Sequence, residues 1–241
     1  MRVPDDPQGA FRHALSHLFA RPASARVLRA LALARDDEDL EPSTLTEVCA
    51  LSPPAVRAAL GDAVAVGLVE ARGQGRIRRY RIRREHPLRE PLVALYRAEE
   101  GRLGGLVAEL SHAARAAAAS VGLALHPGPG ADLVGAWAHG AVVAGTDRAG
   151  DPLEVAFAAS RGVVESLVRE FRQRAAAVEE RERLKISVVG KGNGEVRILA
   201  GGDMWWTRLR SHARPLLGHT PDGYAHLLRE RDVLPGEEER A

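Results

Sequence analysis

Ser52-Pro53-Pro54 is the tightest local constraint in the chain. Two consecutive prolines fix φ near the helical value and remove two N–H groups, which a helix tolerates only in its first turn, where those donors have no partner. A helix is therefore predicted to start here, with the Ser52 hydroxyl as its cap. Val56, Leu60, Ala63 and Val66 then recur at helical spacing as one apolar stripe, while Arg57, Ala58, Gly61 and Asp62 face away. Gly67 is placed to end the helix, and Leu68-Val69 opens an extended stretch.

The surroundings complete a unit. STLTEVCA, residues 43–50, predicts a short helix with Leu45, Val48 and Cys49 inward, one tight connection before the first. Two short helices this close read as a helix-turn-helix. SARVLRALALA, residues 24–34, is a third helix able to cover the pair with Val27, Leu28, Leu31 and Leu33. After them, residues 68–72 and 76–83 flank Gly73-Gln74-Gly75, a predicted hairpin whose Tyr80 and Ile82 share a face and pack on the helices.

Charge is concentrated on that hairpin. The formal net charge is only +2, yet residues 71–84 carry seven arginines and no acid. Duplex DNA is a dense line of negative charge, and each neutralised phosphate releases condensed counterions, so a local cluster outweighs the net balance. Helix, helix, helix and basic hairpin, with Leu51-Ser52 before the third helix and Val66-Gly67-Leu68-Val69 after it, resemble the winged helix-turn-helix regulators of the ArsR and MarR type over roughly residues 20–90. The resemblance implies that Ser52, Pro54, Arg57 and Ala58 face bases or backbone in a major groove, with Arg57 alone equipped for a bidentate guanine contact. It implies that Arg72, Arg76, Arg78, Arg79 and Arg81 of the wing reach phosphates or the minor groove of double-stranded DNA. Ala50 departs from the pattern, standing where that family often has glycine; this costs little only if its backbone is not left-handed.

Residues 87–125 have helical periodicity, interrupted by Gly101, Gly104 and Gly105. Leu92, Leu95, Tyr96, Leu103, Leu106, Val107 and Leu110 form a seam suited to a connector or to a dimer contact. HPGPG, residues 126–130, is the clearest linker.

Beyond it, an apolar run ends at Gly140, Gly145 follows after a short apolar stretch, and a polar loop leads to an apolar segment containing Glu154. This resembles the minimal nucleotidyltransferases of the DNA polymerase beta superfamily, whose signature is a strand, Gly-Ser, a loop and a strand bearing Asp-x-Asp. Gly140-Ala141 falls on the Gly-Ser, Gly145 on the next glycine and Pro152-Leu153-Glu154 on the acids. The resemblance implies a nucleotide cleft with its chemistry removed. Pro152 has no ligand atom, Asp151 is one residue off and would project to the opposite face of a strand, and Ala141 lacks the phosphate-contacting hydroxyl. LKISVV, residues 184–189, places Lys185 and Ser187 where a third acid belongs. Glu154 alone cannot hold the paired metal ions of nucleotidyl transfer.

Further on, residues 160–181 predict a helix with Val163, Val164, Leu167, Val168 and Phe171 inward, followed by a strand at 184–189. Gly190-Lys191-Gly192-Asn193-Gly194 predicts a hairpin turn into a strand EVRILA, since it lacks the spacing of a phosphate loop. MWWTRLRSHARPLL, residues 204–217, is predicted helical, its Trp205-Trp206 pair serving packing or a ligand pocket.

The expected architecture is α+β: a winged helix over 1–90, a helical connector and linker over 91–130, and a degenerate nucleotidyltransferase-like α/β domain over 131–241. The single cysteine excludes an internal disulfide, and the scattered histidines offer no metal spacing, so neither cofactor nor metal is expected. No stretch has the length of a membrane span, and MRVPDDPQGA lacks the features of a signal peptide, so a cytoplasmic protein is expected. The expected function is sequence-specific transcription regulation without catalysis. Its partners are double-stranded DNA and a second copy, with a nucleotide or a protein as a further candidate. The alternatives are an active nucleotidyltransferase delivered by the winged helix, and an antitoxin-like or replication-associated interaction protein. Only two of the basic residues are lysines, Lys185 and Lys191.

Overall fold

A computed structural model describes residues 21–35, 38–73, 78–123 and 133–233. Arg76, the 126–130 linker and the end of the chain lie outside them. The protein is a mixed α+β chain that divides into two compact units between Arg102 and Leu103.

In the N-terminal unit, α1 (Pro22–Leu33), α2 (Pro42–Val48) and α3 (Pro53–Ala65) each begin on proline. Ser52 takes the N-cap position of α3, but its side chain makes no capping bond. The two prolines explain this: with the first two N–H groups gone, little remains for a hydroxyl to accept. Strands β1 (Val69–Arg72) and β2 (Arg79–Ile82) form the hairpin, pairing Val69 with Ile82 and Arg72 with Arg79. Leu40 extends it, exchanging backbone hydrogen bonds of 2.9 and 2.8 Å with Tyr80. Val27, Leu31, Leu45, Val56, Leu60 and Ile82 fill the core. Val48 and Val66, expected inward, are instead 64% and 70% exposed, because each stands at the last turn or cap of its helix, where the apolar period breaks.

Helix α4 (Arg89–Ser120) runs through Gly101, Gly104 and Gly105 without interruption, since all three are exposed and weaken propensity only. Its N-terminal part belongs to the first unit. There Tyr96 is buried and donates to the Ala25 carbonyl, the Glu99 carboxylate receives Arg29 Nε and Nη2 at 3.0 and 2.8 Å, and Leu95 is left exposed.

The C-terminal unit is built on a four-stranded sheet ordered β5-β4-β3-β6. It comprises β3 (Gly135–His139), the short α5 (Ala141–Ala144), β4 (Leu153–Ala159), α6 (Arg161–Glu182), β5 (Ile186–Gly192), α7 (Asn193–Leu199), α8 (Met204–His212), β6 (Arg214–Leu217) and α9 (Pro221–Val233). β3 is antiparallel to both β4 and β6, and β4 is parallel to β5. Period two sorts β4: Leu153, Val155 and Phe157 join Leu167 and Phe171 of α6, whereas Ala156 and Ala158 join Trp137, Trp206, Leu209 and Tyr224 on the other face. Trp137 anchors that second core, with its Nε1 donating to the His219 carbonyl at 2.7 Å.

Two sequence expectations fail here. The hairpin at 190–199 is a strand running through Gly192 and then a helix, because Glu195 accepts the Gly192 N–H at 3.0 Å in a helix-start arrangement. Residues 214–217 are strand, not helix: Pro215 disfavours helical geometry at Arg214, and the segment pairs with β3.

Candidate functional site

The outward side of α3 carries Ser52, Pro54, Arg57 and Ala58, all exposed. Arg57 Nε donates to the Pro53 carbonyl at 3.3 Å, which holds the side chain back along its own helix. The other charge on this helix, Asp62, pairs with Arg21.

The arginine cluster is free of acids in sequence but not in space. Arg79 places Nε and Nη2 on Glu41 Oε1 at 3.2 and 3.0 Å, and Arg72 lies 3.2 Å from Glu70. Arg81, only 14% exposed, bonds Glu70 and lies 3.8 Å from Asp39. The Arg81 hydrogen bond holds the Glu70 carboxyl below its ordinary range, against a smaller opposing effect of burial. Among the described residues, Arg78 and Arg83 are exposed and form no side-chain ion pair.

In the C-terminal unit the strand register assembles a row. His139 on β3 stands opposite Glu154 on β4, and Glu154 opposite Ser187 on β5. Gly140 follows His139 with φ of 86°, and any Cβ there would come within 2.6 Å of Glu154 Oε1. Glycine is favoured by this left-handed backbone, and its lack of a side chain lets the Glu154 carboxylate lie over it. Ala141 opens α5, and Gly145 ends it in the left-handed region. Asp151 turns away from the row to accept the Arg148 N–H at 2.7 Å, and Pro152 sits just before β4. Lys185 and Ser187 are exposed.

His139 is the member that sequence reasoning missed. A lone histidine gives no metal spacing; the usable signal was its place at the end of an apolar strand, directly before Gly140. Its imidazole is buried, with Nδ1 3.5 Å from Glu154 Oε2, no partner on Nε2, and the Trp205 ring edge-on at 6.2 Å. Burial pushes its pKa down to about 4, and the half-exposed Glu154 carboxylate does not offset this. The row thus offers one carboxylate and one neutral imidazole, and among the described residues no group of three or more metal-binding side chains occurs. No helix among them is long and apolar enough to cross a membrane.

Comparison with known proteins finds no matching family model, no matching curated protein and no matching solved structure.

Proposed function

We propose that the protein is a cytoplasmic, homodimeric transcription regulator that binds double-stranded DNA through the N-terminal unit. Its C-terminal unit is a nucleotidyltransferase-like domain without catalysis, kept for dimerisation, partner contact or ligand sensing. The observation that carries the reading is the order of α1, α2, α3 and the β1–β2 hairpin, with Arg57 exposed on α3 and Arg78 of the hairpin exposed and without an ion pair among the described residues. A helix of this width enters a major groove, and a neighbouring basic hairpin reaches the flanking backbone. The catalytic-silence reading draws on the register of the row, which sets Glu154 opposite His139 and Ser187, and among the described residues no group of three or more metal-binding side chains occurs.

Binding of labelled duplexes across a salt series tests the first part. Replacing Arg76, Arg78 and Arg79 by alanine is expected to abolish binding at moderate salt and to flatten the salt slope by about one log unit for each phosphate no longer neutralised. Unchanged affinity with an unchanged slope overturns the assignment.

A further inference from the structure

β5 is an edge strand, and its outer side is capped by side chains of its own unit. Because Leu153 N–H bonds the Lys185 carbonyl, the backbone groups of Ile186, Val188, Gly190 and Gly192 point away from β4. Glu179 Oε1 accepts the Ile186 N–H at 2.6 Å, Arg172 Nη2 donates to the Val188 carbonyl at 2.9 Å, and Glu195 Oε2 accepts the Gly192 N–H. Gly190, between the last two caps, has no hydrogen-bond partner for its N–H or its carbonyl among the described residues. Beside it runs a groove of about 730 Å³ floored by Val164, Val168 and Val188. A Cβ at Gly190 would lie 2.9 Å from both Val164 and Val168, so glycine at the middle of this edge lets α6 pack closely over the strand face while the edge itself carries only backbone groups.

We propose that this edge is a self-association surface at which two copies pair their β5 strands antiparallel about a twofold axis at Gly190, joining two sheets into one. The symmetry follows from the chemistry of the caps. A twofold at Gly190 pairs its free N–H and carbonyl with those of the partner, and sets Val188 opposite Gly192 of the second copy. The Val188 carbonyl then takes the partner's N–H, releasing Arg172, and the partner's Gly192 N–H is released from its own Glu195. A guanidinium and a carboxylate that each stood in for a missing strand are left facing one another. The edge is therefore complementary to itself in backbone and in charge, which favours a second copy over an unrelated peptide.

This pairing deepens the homodimer reading, on which it rests, and does not depend on DNA binding. Sedimentation equilibrium of the full chain tests it with Arg172→Glu, Glu195→Arg and the double exchange. The wild type is expected to be dimeric, each single reversal to raise the dissociation constant at least about tenfold, and the exchange to restore it. Should either reversal unfold the chain, hydrogen exchange of the wild type decides: the Gly190 amide is expected to be protected in the dimer and to lose protection on dilution. A monomeric wild type, a dimer indifferent to both reversals, or a Gly190 amide that exchanges freely in the dimer overturns the proposal. Duplex binding scored on the same samples keeps failure of this surface distinct from failure of the DNA-binding reading.

Discussion

Ala50 and Gly67 occupy the same position of the same motif. Each follows a helix, and at each the N–H pair closes the turn: Ala50 and Leu51 onto Glu47 and Thr46, Gly67 and Leu68 onto Val64 and Ala63. Both have positive φ, 50° for Ala50 and 75° for Gly67. The condition under which alanine would be harmless in the corner between α2 and α3 is therefore not met. A left-handed alanine costs about 1 to 2 kcal/mol, part of which glycine returns through the entropy of the unfolded chain. Ala50→Gly is expected to stabilise the N-terminal unit by about 0.5 to 1 kcal/mol, and Gly67→Ala to destabilise it by a similar amount, both read from urea midpoints. His139 supplies the second prediction at this scale. Its pKa is 6.5 in the unfolded chain and about 4 when folded, so below pH 6.5 the unfolded state binds a proton that the native state refuses. Stability should be flat above that pH and fall by as much as ~3 kcal/mol towards pH 4. Thermal melts of wild type and His139→Leu across this range measure it; equal slopes would remove the buried imidazole from the acid response.

Among the elements, α4 is held to α1 by charge as well as by packing. Arg29 and Glu99 are both buried and the guanidinium lies 5.6 Å from the Tyr96 ring centroid. Glu99→Ala removes the carboxylate that two nitrogens of the buried Arg29 bond, and is expected to destabilise the N-terminal unit by about 3 kcal/mol, measured by chemical unfolding. The hairpin arginines divide into those that pair with acids and Arg78, which forms no ion pair among the described residues. Arg81→Ala should loosen β1 and β2, since Glu70 loses the guanidinium that bonds it across the hairpin, whereas Arg78→Ala should leave the melting temperature unchanged and weaken DNA binding. A melting temperature lowered by Arg78→Ala and untouched by Arg81→Ala would reverse these roles. The start of α3 was legible in the sequence, because two missing N–H groups have few places to go, whereas α9, which also begins on a proline, was not anticipated. The strand-to-helix step at Gly192 was not, because it depends on Glu195 reaching back three residues and on two valines of α6 seated over Gly190. A local reading of a glycine-rich stretch sees neither.

For the molecule as a whole, the two units carry separable tests. Glu154→Ala should leave duplex affinity within about twofold, and the wild type should neither consume nucleoside triphosphates nor label nucleic acid with magnesium or manganese, as followed with radiolabelled nucleotides. Metal-dependent transfer lost on that substitution would promote the enzyme reading. The candidate site was half legible at this scale. Gly140, Ala141, Gly145, Glu154 and Ser187 were singled out through the family resemblance, but His139 joins the row only through the register of β3 with β4. The acids that neutralise the wing were hidden for the same reason: Asp39 and Glu41 lie just ahead of α2 and reach the hairpin only in the folded unit.

The scarcity of lysine makes β5 chemically addressable. Lys185 immediately precedes the strand and Lys191 lies within it, so the only side-chain amines of this sequence stand at one edge strand of one sheet. Its acylation kinetics and the reach of a bifunctional amine linker between copies would locate that edge without a single engineered residue.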